Sequence, residues 1–553
     1  MLVVDYIARR LKALGAGRVF GYQGGGIAPL IEAVGRTEGL EYVQLYQEQG
    51  AGFAADAFAR SSQKLGVCVA TNGPGATNLV SAIANAYFDF SPCVFFTGHV
   101  NVADINRTAG SRQNGFQETD AVRLAGGITK FAVSIQNKEN VKKQLDKALS
   151  IAMEAPKGAV LVELPLDIQK AQIDGEPFAQ EEPPAARSEP IDIGPFIDAL
   201  QKSKRPVLLI GGGVRNSLGA AELAKEFVGA TGIPAASSLQ GLDVVTPNNI
   251  GFSGLYGLNH VNLALYNADL ILVLGCRLSK RQIGIAGKYS KAAKIFQVDV
   301  NKSELGRVLK SEISFNCDAA DFLRECLGAI KERGASFDFG EWNKQIEGWK
   351  TAHAGKTEFN SKSVRPVVFM NNLSAIIPAA ANITLDVGQN QMWCAQGLVP
   401  KDGQRIFSSS GLGCMGFSLP ASVGACLSNN RKTFAFMGDG GFQMNMQELN
   451  AVSARNLPIK IFVFNNNSLG MIQEVQMKFK SESYIGTKIG YRAPNLEGIA
   501  AAYGIKFKRL LDERIDGETE ALLKNDEPVL FEIRVSDDPS RLMNKYDEQE
   551  IYI

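Results

Sequence analysis

The chain is 553 residues long, several times the usual domain length of about 150 residues, so roughly three domains are expected. Apolar residues make up 45% of it and charged residues 21%, which excludes disordered, collagen-like and coiled-coil architectures. Lys+Arg 58 against Asp+Glu 57 leaves a formal net charge of +1, so no global field favours nucleic acid or an anionic membrane as a partner.

Taken in chain order, the first fifteen residues, MLVVDYIARRLKALG, read as an amphipathic helix with charges throughout, not as a signal peptide. No uninterrupted apolar run reaches the ~18 residues of a membrane span, so a cytoplasmic location is the expectation. Short apolar, β-branched runs then alternate with helix-like segments: VCVAT (67–71), AVLVEL (159–164), VLLIGG (207–212), LILVLG (270–275), IFQVDV (295–300), TFAFMG (433–438), IKIFVF (459–464) and VLFEIR (529–534). Strands that are apolar on both faces and separated by helices mark parallel sheets covered on both sides, so each third of the chain reads as α/β. Two stretches interrupt the pattern. EPFAQEEPPAARSEP (176–190) is rich in Pro and Glu and reads as a linker, and Lys331 to Arg365 carries Trp342 and Trp349 in an otherwise polar helical connection. The expected domains are 1–175, 190–330 and 360–553.

The reactive side chains narrow the chemistry. Eight cysteines, Cys68, Cys93, Cys276, Cys317, Cys326, Cys394, Cys414 and Cys426, stand singly without a CxxC pair, which argues against structural zinc and a disulfide framework. With only His99, His260 and His353, a multi-His metal centre or a Ser/His/Asp hydrolase is disfavoured. Proton chemistry would fall to carboxylates or to a cofactor.

In open α/β sheets ligands bind beyond the carboxyl ends of strands. After TFAFM comes Gly438-Asp439-Gly440-Gly441, then the helix-like MNMQELNAVSA, the strand IKIFVF, and Asn465-Asn466-Asn467. This unit places an Asp and an Asn, both hard oxygen ligands, at the ends of neighbouring strands beside a glycine-rich turn, which suits magnesium holding a diphosphate. Read singly, GDG is a turn and the Asn run a helix cap.

Together, at this spacing, they resemble the GDG…NN signature of thiamine diphosphate enzymes. The resemblance extends over nearly the whole chain to the acetohydroxyacid (acetolactate) synthase branch. It is carried by VFGYQGG (19–25), EQGAGFAADAFAR (48–60), TNGPGATNLVSAIANAY (71–87), GFQETD (115–120), TKF (129–131), DVGQNQMW (386–393), GLGCMGFSLPASVGA (411–425) and NNNSLGMI (465–472). It implies a thiamine diphosphate-binding fold: a pyrimidine domain and a diphosphate domain flanking a nucleotide-binding-like middle domain.

Glu48, in isolation a solvated charge at a helix start, matches the glutamate that bonds the cofactor's aminopyrimidine ring and promotes loss of the thiazolium C2 proton. Asp439, Asn466 and the Ser468 carbonyl match the magnesium ligands. Met415, otherwise core filler, matches the residue that wedges the cofactor into its bent shape. Val387, Gly388 and Gln389 match the loop on the diphosphate and pyrimidine, with Gly438, Gly440, Gly441 and Met471 also at the cofactor. Gly25, Phe116, Gln117 and Lys130 match positions on the active-site wall, with Lys130 placed toward the substrate.

In the middle third, VLLIGGGVRNS, with Gly212 and Gly213, has the strand, turn and helix of a nucleotide-binding unit without a full GxGxxG. By resemblance FAD is expected there, with Arg277, Asp299 and Asp318 at the flavin, and Arg281 matches the arginine that holds the carboxylate of a second keto acid. The chain departs from the synthases at Gln47 (usually His), at Ser279 and Lys280 (usually an acidic pair) and at Val475 (usually Trp), the last opening space for a bulkier acceptor.

The implied activity is decarboxylation of pyruvate or another 2-keto acid and ligation of the two-carbon unit to a second carbonyl, in a homodimer or homotetramer. Alternatives within the family are transfer to an aldehyde or keto-sugar and simple 2-keto acid decarboxylation. From another class comes a non-catalytic flavin-holding subunit, against which Glu48, Asp439 and Asn466 argue.

Overall fold

The expected apolar runs all become strands, and the order in which they pair sets where the site lies. The computed structural model describes residues 1–175, 191–246, 248–284, 293–353, 364–479 and 483–536; the expected linker 176–190 lies outside them. Three six-stranded, wholly parallel sheets are present. The first holds β1 (Arg18–Gly21), β2 (Glu41–Gln44), β3 (Gly66–Ala70), β4 (Cys93–His99), β5 (Phe131–Ser134) and β6 (Val160–Pro165) in the order β2-β1-β3-β4-β6-β5. The second holds β7 (Pro206–Ile210), β8 (Ala235–Ser237), β9 (Asn249–Phe252), β10 (Leu270–Leu274), β11 (Lys294–Val298) and β12 (Ile313–Phe315) in the order β12-β11-β10-β7-β8-β9. The third holds β13 (Asn382–Leu385), β14 (Arg405–Ser408), β15 (Thr433–Gly438), β16 (Ile459–Asn465), β17 (Lys506–Leu510) and β18 (Val529–Arg534) in the order β14-β13-β15-β16-β18-β17.

The first and third sheets therefore share one topology. The middle sheet has the strand order of a doubly wound dinucleotide fold. Each sheet has a switch point, where chain direction across the sheet reverses: β1/β3, β7/β10 and β13/β15.

The first and third sheets are joined through two helices, Glu48–Ser62 and Ser418–Asn429, and one apolar core runs across both. Ala51, Ala54, Ala55, Ala57 and Ala59 keep the first helix slim, so it is buried nearly all round. A Cβ on Gly424 would lie 1.9 Å from the carbonyl oxygen of Ala54, so only glycine permits this approach. The Phe53 and Phe417 rings meet edge-on at 5.5 Å nearby.

The middle unit is hydrogen-bonded to both neighbours. Arg60 donates to Ser408 O (3.1 Å) and Gln240 Oε1 (2.6 Å), while Asp243 accepts from the Ile406 N–H (3.0 Å) and from Arg215. The helix Gly340–Ala352, inside the expected connection, packs on the middle sheet, with the Trp342 indole N–H donating to Pro206 O at 3.1 Å.

Candidate active site

In the third sheet, β13, β15 and β16 lie side by side, and the segments leaving their carboxyl ends converge. Gly438 closes β15 and caps the helix Asp439–Asn445, of which Asp439 is the first residue and is 1% exposed. Its Oδ1 accepts the Gly440 N–H at 2.9 Å, whereas Oδ2 is buried without a hydrogen-bond partner. Burial raises this carboxyl to about 6. After β16, Asn466 accepts the Ser468 N–H with Oδ1 (3.2 Å) and donates from Nδ2 to Gln389 Oε1 (3.3 Å). Gln389 in turn donates to Glu474 Oε1 at 2.7 Å.

The glycines here make room for named neighbours. A Cβ on Gly440 would come within 2.5 Å of Leu469 Cδ2 and 3.2 Å of Met415 Cε, which puts the tip of Met415 over the GDG turn. A Cβ on Gly441 would meet Asp386 Oδ1 at 2.4 Å. Asp386 accepts the Gly416 (3.0 Å) and Ser418 (2.8 Å) N–H groups on either side of Phe417, so it ties the turn bearing Met415 to the turn bearing Asp439. Burial pushes the Asp386 carboxyl up to about 7. Gly388 caps the helix Gln389–Gly397 at φ 151, and Val387 beside it is half-buried. Met471 packs on the adjoining core, and Val475, on the helix Gly470–Lys478, is 42% exposed.

The carboxylate of Asp439, the carboxamide of Asn466 and the carbonyl of Ser468 are hard oxygen donors, whose chemistry would suit magnesium and not a softer metal. Among the described residues no group of three or more His, Cys, Asp or Glu side chains is placed to hold a metal.

At the switch point of the first sheet, Gly24 to Gly26 leave β1 and Thr71 to Gly75 leave β3. The Gly26 N–H donates to Thr71 Oγ1 at 3.1 Å, and Asn72 Nδ2 donates to Gln117 O at 3.1 Å. Gly25 faces open space, with nothing within 4 Å of its Cβ position. Gln117 sits at φ 62, and Phe116 is 85% exposed.

Glu48 is the first residue of its helix. Gln47 is the cap, its Oε1 accepting the Gly50 N–H at 3.1 Å. Glu48 is buried, not a solvated helix-end charge, and its Oε2 accepts from Asn78 Nδ2 at 3.0 Å. The segment 71–78 thus brings Gly25, Phe116, Gln117 and Glu48 into one cluster.

Lys130 joins neither cluster. Its ammonium donates to Ile151 O (2.5 Å) and Glu154 O (2.7 Å) at the C-terminal end of the helix Val141–Met153.

At the switch point of the middle sheet lies a cleft of about 1170 Å³, lined by Gly212, Gly213, Arg277, Arg281, Asp299 and Asp318 and closed by Arg60 and Phe88 from the first unit and Met392 and Arg405 from the third. Two glycine turns touch there, the Gly213 N–H donating to Gly275 O at 3.0 Å. Asp318 caps its helix through the Ala320 N–H (2.8 Å), and burial raises Asp299 to about 6. Arg281 lies over the Tyr256 ring at 5.7 Å, with Nη2 3.9 Å from Met392 Sδ, so it spans from the cleft to the helix that begins at Gln389.

Several residues of these clusters escaped the sequence reading: Asn72, Asn78, Asp386 and Glu474. Asn72 and Asp386 directly follow or nearly follow strand ends, a position that could have singled them out.

Three family models match: the N-terminal thiamine pyrophosphate-binding domain of thiamine pyrophosphate enzymes over residues 1–124, the central domain over 193–326 and the C-terminal thiamine pyrophosphate-binding domain over 386–533. The chain is 33% identical to the acetolactate synthase large subunit of Lactococcus lactis, covering 96% of this chain and 92% of that protein. It is 32% identical to the acetolactate synthase isozyme 2 large subunit of Escherichia coli, covering 96% and 95%. It is 34% identical to a probable acetolactate synthase large subunit of Methanocaldococcus jannaschii, covering 98% and 92%.

Proposed function

Because the chain belongs to the thiamine pyrophosphate-dependent enzymes, in the branch of the acetolactate synthase large subunits, we propose that it decarboxylates pyruvate or a related 2-keto acid and joins the two-carbon unit to a second carbonyl. The observation that carries this reading to individual residues is the buried, unpartnered Asp439 Oδ2 beside Asn466 and Ser468 at adjacent strand ends. Bound thiamine pyrophosphate supplies the electron sink for decarboxylation and carbon–carbon bond formation.

The protein's own groups hold, orient and exchange protons. Asp439, Asn466 and the Ser468 carbonyl hold magnesium, while Gly438, Gly440 and Gly441 leave the backbone bare for the diphosphate. Val387, Gly388 and Gln389 flank it, and Met415 and Met471 give apolar support. Glu48, buried with the Asn78 amide as its partner, would face the pyrimidine ring and exchange a proton with it out of reach of bulk water. Gly25, Phe116 and Gln117 would stand on the wall of the active site. Arg281 offers its guanidinium to an acceptor carboxylate. The strand order and the size of the middle cleft support FAD there, with Arg277, Asp299 and Asp318 around it.

A second copy of the chain completes the site. Large apolar side chains are exposed at both clusters, Tyr22, Tyr46 and Phe116 at one and Met444 and Ile472 at the other. A homodimer or homotetramer covers them. Among the described residues no helix is long and apolar enough to cross a membrane. All eight cysteines are free, which supports a reducing compartment such as the cytoplasm.

The exposed Val475 favours a second reading for the acceptor alone, an aldehyde or keto-sugar bulkier than pyruvate. The test is incubation with pyruvate, thiamine pyrophosphate and magnesium, with and without such acceptors. Acetolactate or a longer ligation product supports the proposal. Acetaldehyde alone assigns a decarboxylase, and no turnover by protein saturated with cofactor overturns the proposal.

A further inference from the structure

The helix that carries Glu48 is held at its start by a carboxyl from the other end of the chain. Glu448 is fully buried and accepts the Tyr46 N–H through both oxygens, at 3.0 and 3.3 Å, and its carboxyl also takes the Gln47 N–H. These are the two peptide groups immediately before Glu48, and they precede the point where the Gln47 cap begins to satisfy the helix itself. The fit is tight: a Cβ on Gly50 would lie 2.6 Å from Glu448 Oε1 and 3.2 Å from its Cδ. An apolar residue at 448 would take away the acceptor of these part-buried N–H groups, which is costly.

Glu448 also closes a short continuous stretch that opens at Asp439, the helix Asp439–Asn445 followed directly by the turn Met446–Glu448. One end of that stretch carries the candidate metal ligand. The other end grips the backbone in front of the candidate proton-handling carboxylate.

We propose that Glu448 is a positioning residue for Glu48: by holding the 46–47 peptide groups it sets where the Glu48 carboxylate stands, and so the rate at which the bound cofactor loses its C2 proton. The proposal rests on the assignment of Glu48 given above. It requires no contact between Glu448 and cofactor or substrate.

The test measures exchange of the cofactor C2 proton with deuterium in the holoenzyme, by quenched-flow NMR, for wild type and for Glu448→Ala, Glu448→Gln, Glu448→Asp and Glu48→Gln. Displacing a reacting group by about an ångström costs up to ~10²-fold, so Glu448→Ala is expected to slow exchange about 10-fold or more. Glu448→Gln keeps an acceptor oxygen at the right reach and is expected to restore most of the rate. Glu448→Asp withdraws the carboxyl by one methylene and decides the matter if the alanine variant does not fold. It should behave like Ala while binding thiamine pyrophosphate with near-normal affinity. In the cofactor-free protein, amide exchange by mass spectrometry should rise in the peptide spanning 46–50 for both variants. If Glu48→Gln slows C2 exchange and neither Glu448→Ala nor Glu448→Asp does, Glu448 is structural only and the proposal is overturned. If Glu48→Gln itself leaves exchange unchanged, the assignment of Glu48 fails first, and the proposal falls with it.

Discussion

Gly441→Ala sets two effects against each other, and the structure says which wins. Gly441 lies within the helix Asp439–Asn445, where alanine is intrinsically favoured over glycine by about 0.5–1 kcal/mol. The added methyl would stand 2.4 Å from Asp386 Oδ1 and 2.8 Å from Cγ, about 1 Å short of an ordinary contact of 3.4 Å or more. Asp386 has nowhere to retreat, because its two oxygens accept the Gly416 and Ser418 N–H groups. Losing one such bond to a charged acceptor costs about 1.5–3 kcal/mol, so the net expectation is a loss of about 1–2 kcal/mol. For a cooperative unit of domain size that lowers Tm by about 2–8 °C. If the turn moves instead, Asp439 moves with it, and metal ligation tolerates only about 0.2 Å. Apparent affinity for thiamine pyrophosphate at fixed magnesium should then fall 10-fold or more. Differential scanning calorimetry and calorimetric titration read the two effects. Gly328→Ala is the control, since it is also helical and its Cβ position has nothing within 4 Å. It should be neutral or slightly stabilising. A Gly441→Ala protein as stable as the control, with unchanged cofactor affinity, would refute the steric reasoning.

Glu48→Gln should bind cofactor almost normally yet lose turnover by at least ~10²-fold, as read by steady-state kinetics with pyruvate. Removal of divalent cations with EDTA should weaken thiamine pyrophosphate binding, and magnesium should restore it more fully than zinc, by calorimetric titration. Val475→Trp should shift acceptor preference toward small keto acids by about 10-fold, in competition between pyruvate and a bulky aldehyde. In the same assay Arg281→Ala should spare decarboxylation and impair ligation to carboxylate-bearing acceptors. Burial raises the Glu448 carboxyl from 4.5 to about 8. Because the folded-state value lies above the unfolded one, its contribution to stability is complete below pH 4.5 and is lost as pH rises through about 8. Glu448→Gln, which does not ionise, should therefore gain stability relative to wild type across that window, by at most about 1.4 kcal/mol per pH unit, in denaturation measured at a series of pH values.

The sequence by itself determined the strands that lie deepest and the motif at the end of one of them. VLLIGG, LILVLG, TFAFMG and IKIFVF are legible because a parallel strand covered on both faces is apolar at nearly every position, Thr433 and Lys460 being the exceptions here. GDG and NNN are legible because the chemistry needs those residue types directly after adjacent strands, a local requirement of one βαβ unit. β1, β8 and β12 carried no such signal, being three or four residues long, with Arg18, a pair of alanines or Ser314 in place of an apolar run.

What only the tertiary structure decided concerns residues whose partners are distant in the chain. Lys130 stands in TKF with no sign of its partners, and its ammonium is held by the end of a helix about twenty residues on. Glu448 drew no notice in the helix-like MNMQELNAVSA, yet it is buried and accepts the Tyr46 N–H, 402 residues away. Strand order, which places Asp386 under Gly441 and opens the middle cleft among three units, has no local signature either. A polar side chain reads the same in sequence whether water or a folded-over segment satisfies it. Only the packing of the sheets against one another, through helices as closely apposed as those at Ala54 and Gly424, removes the water and makes the difference.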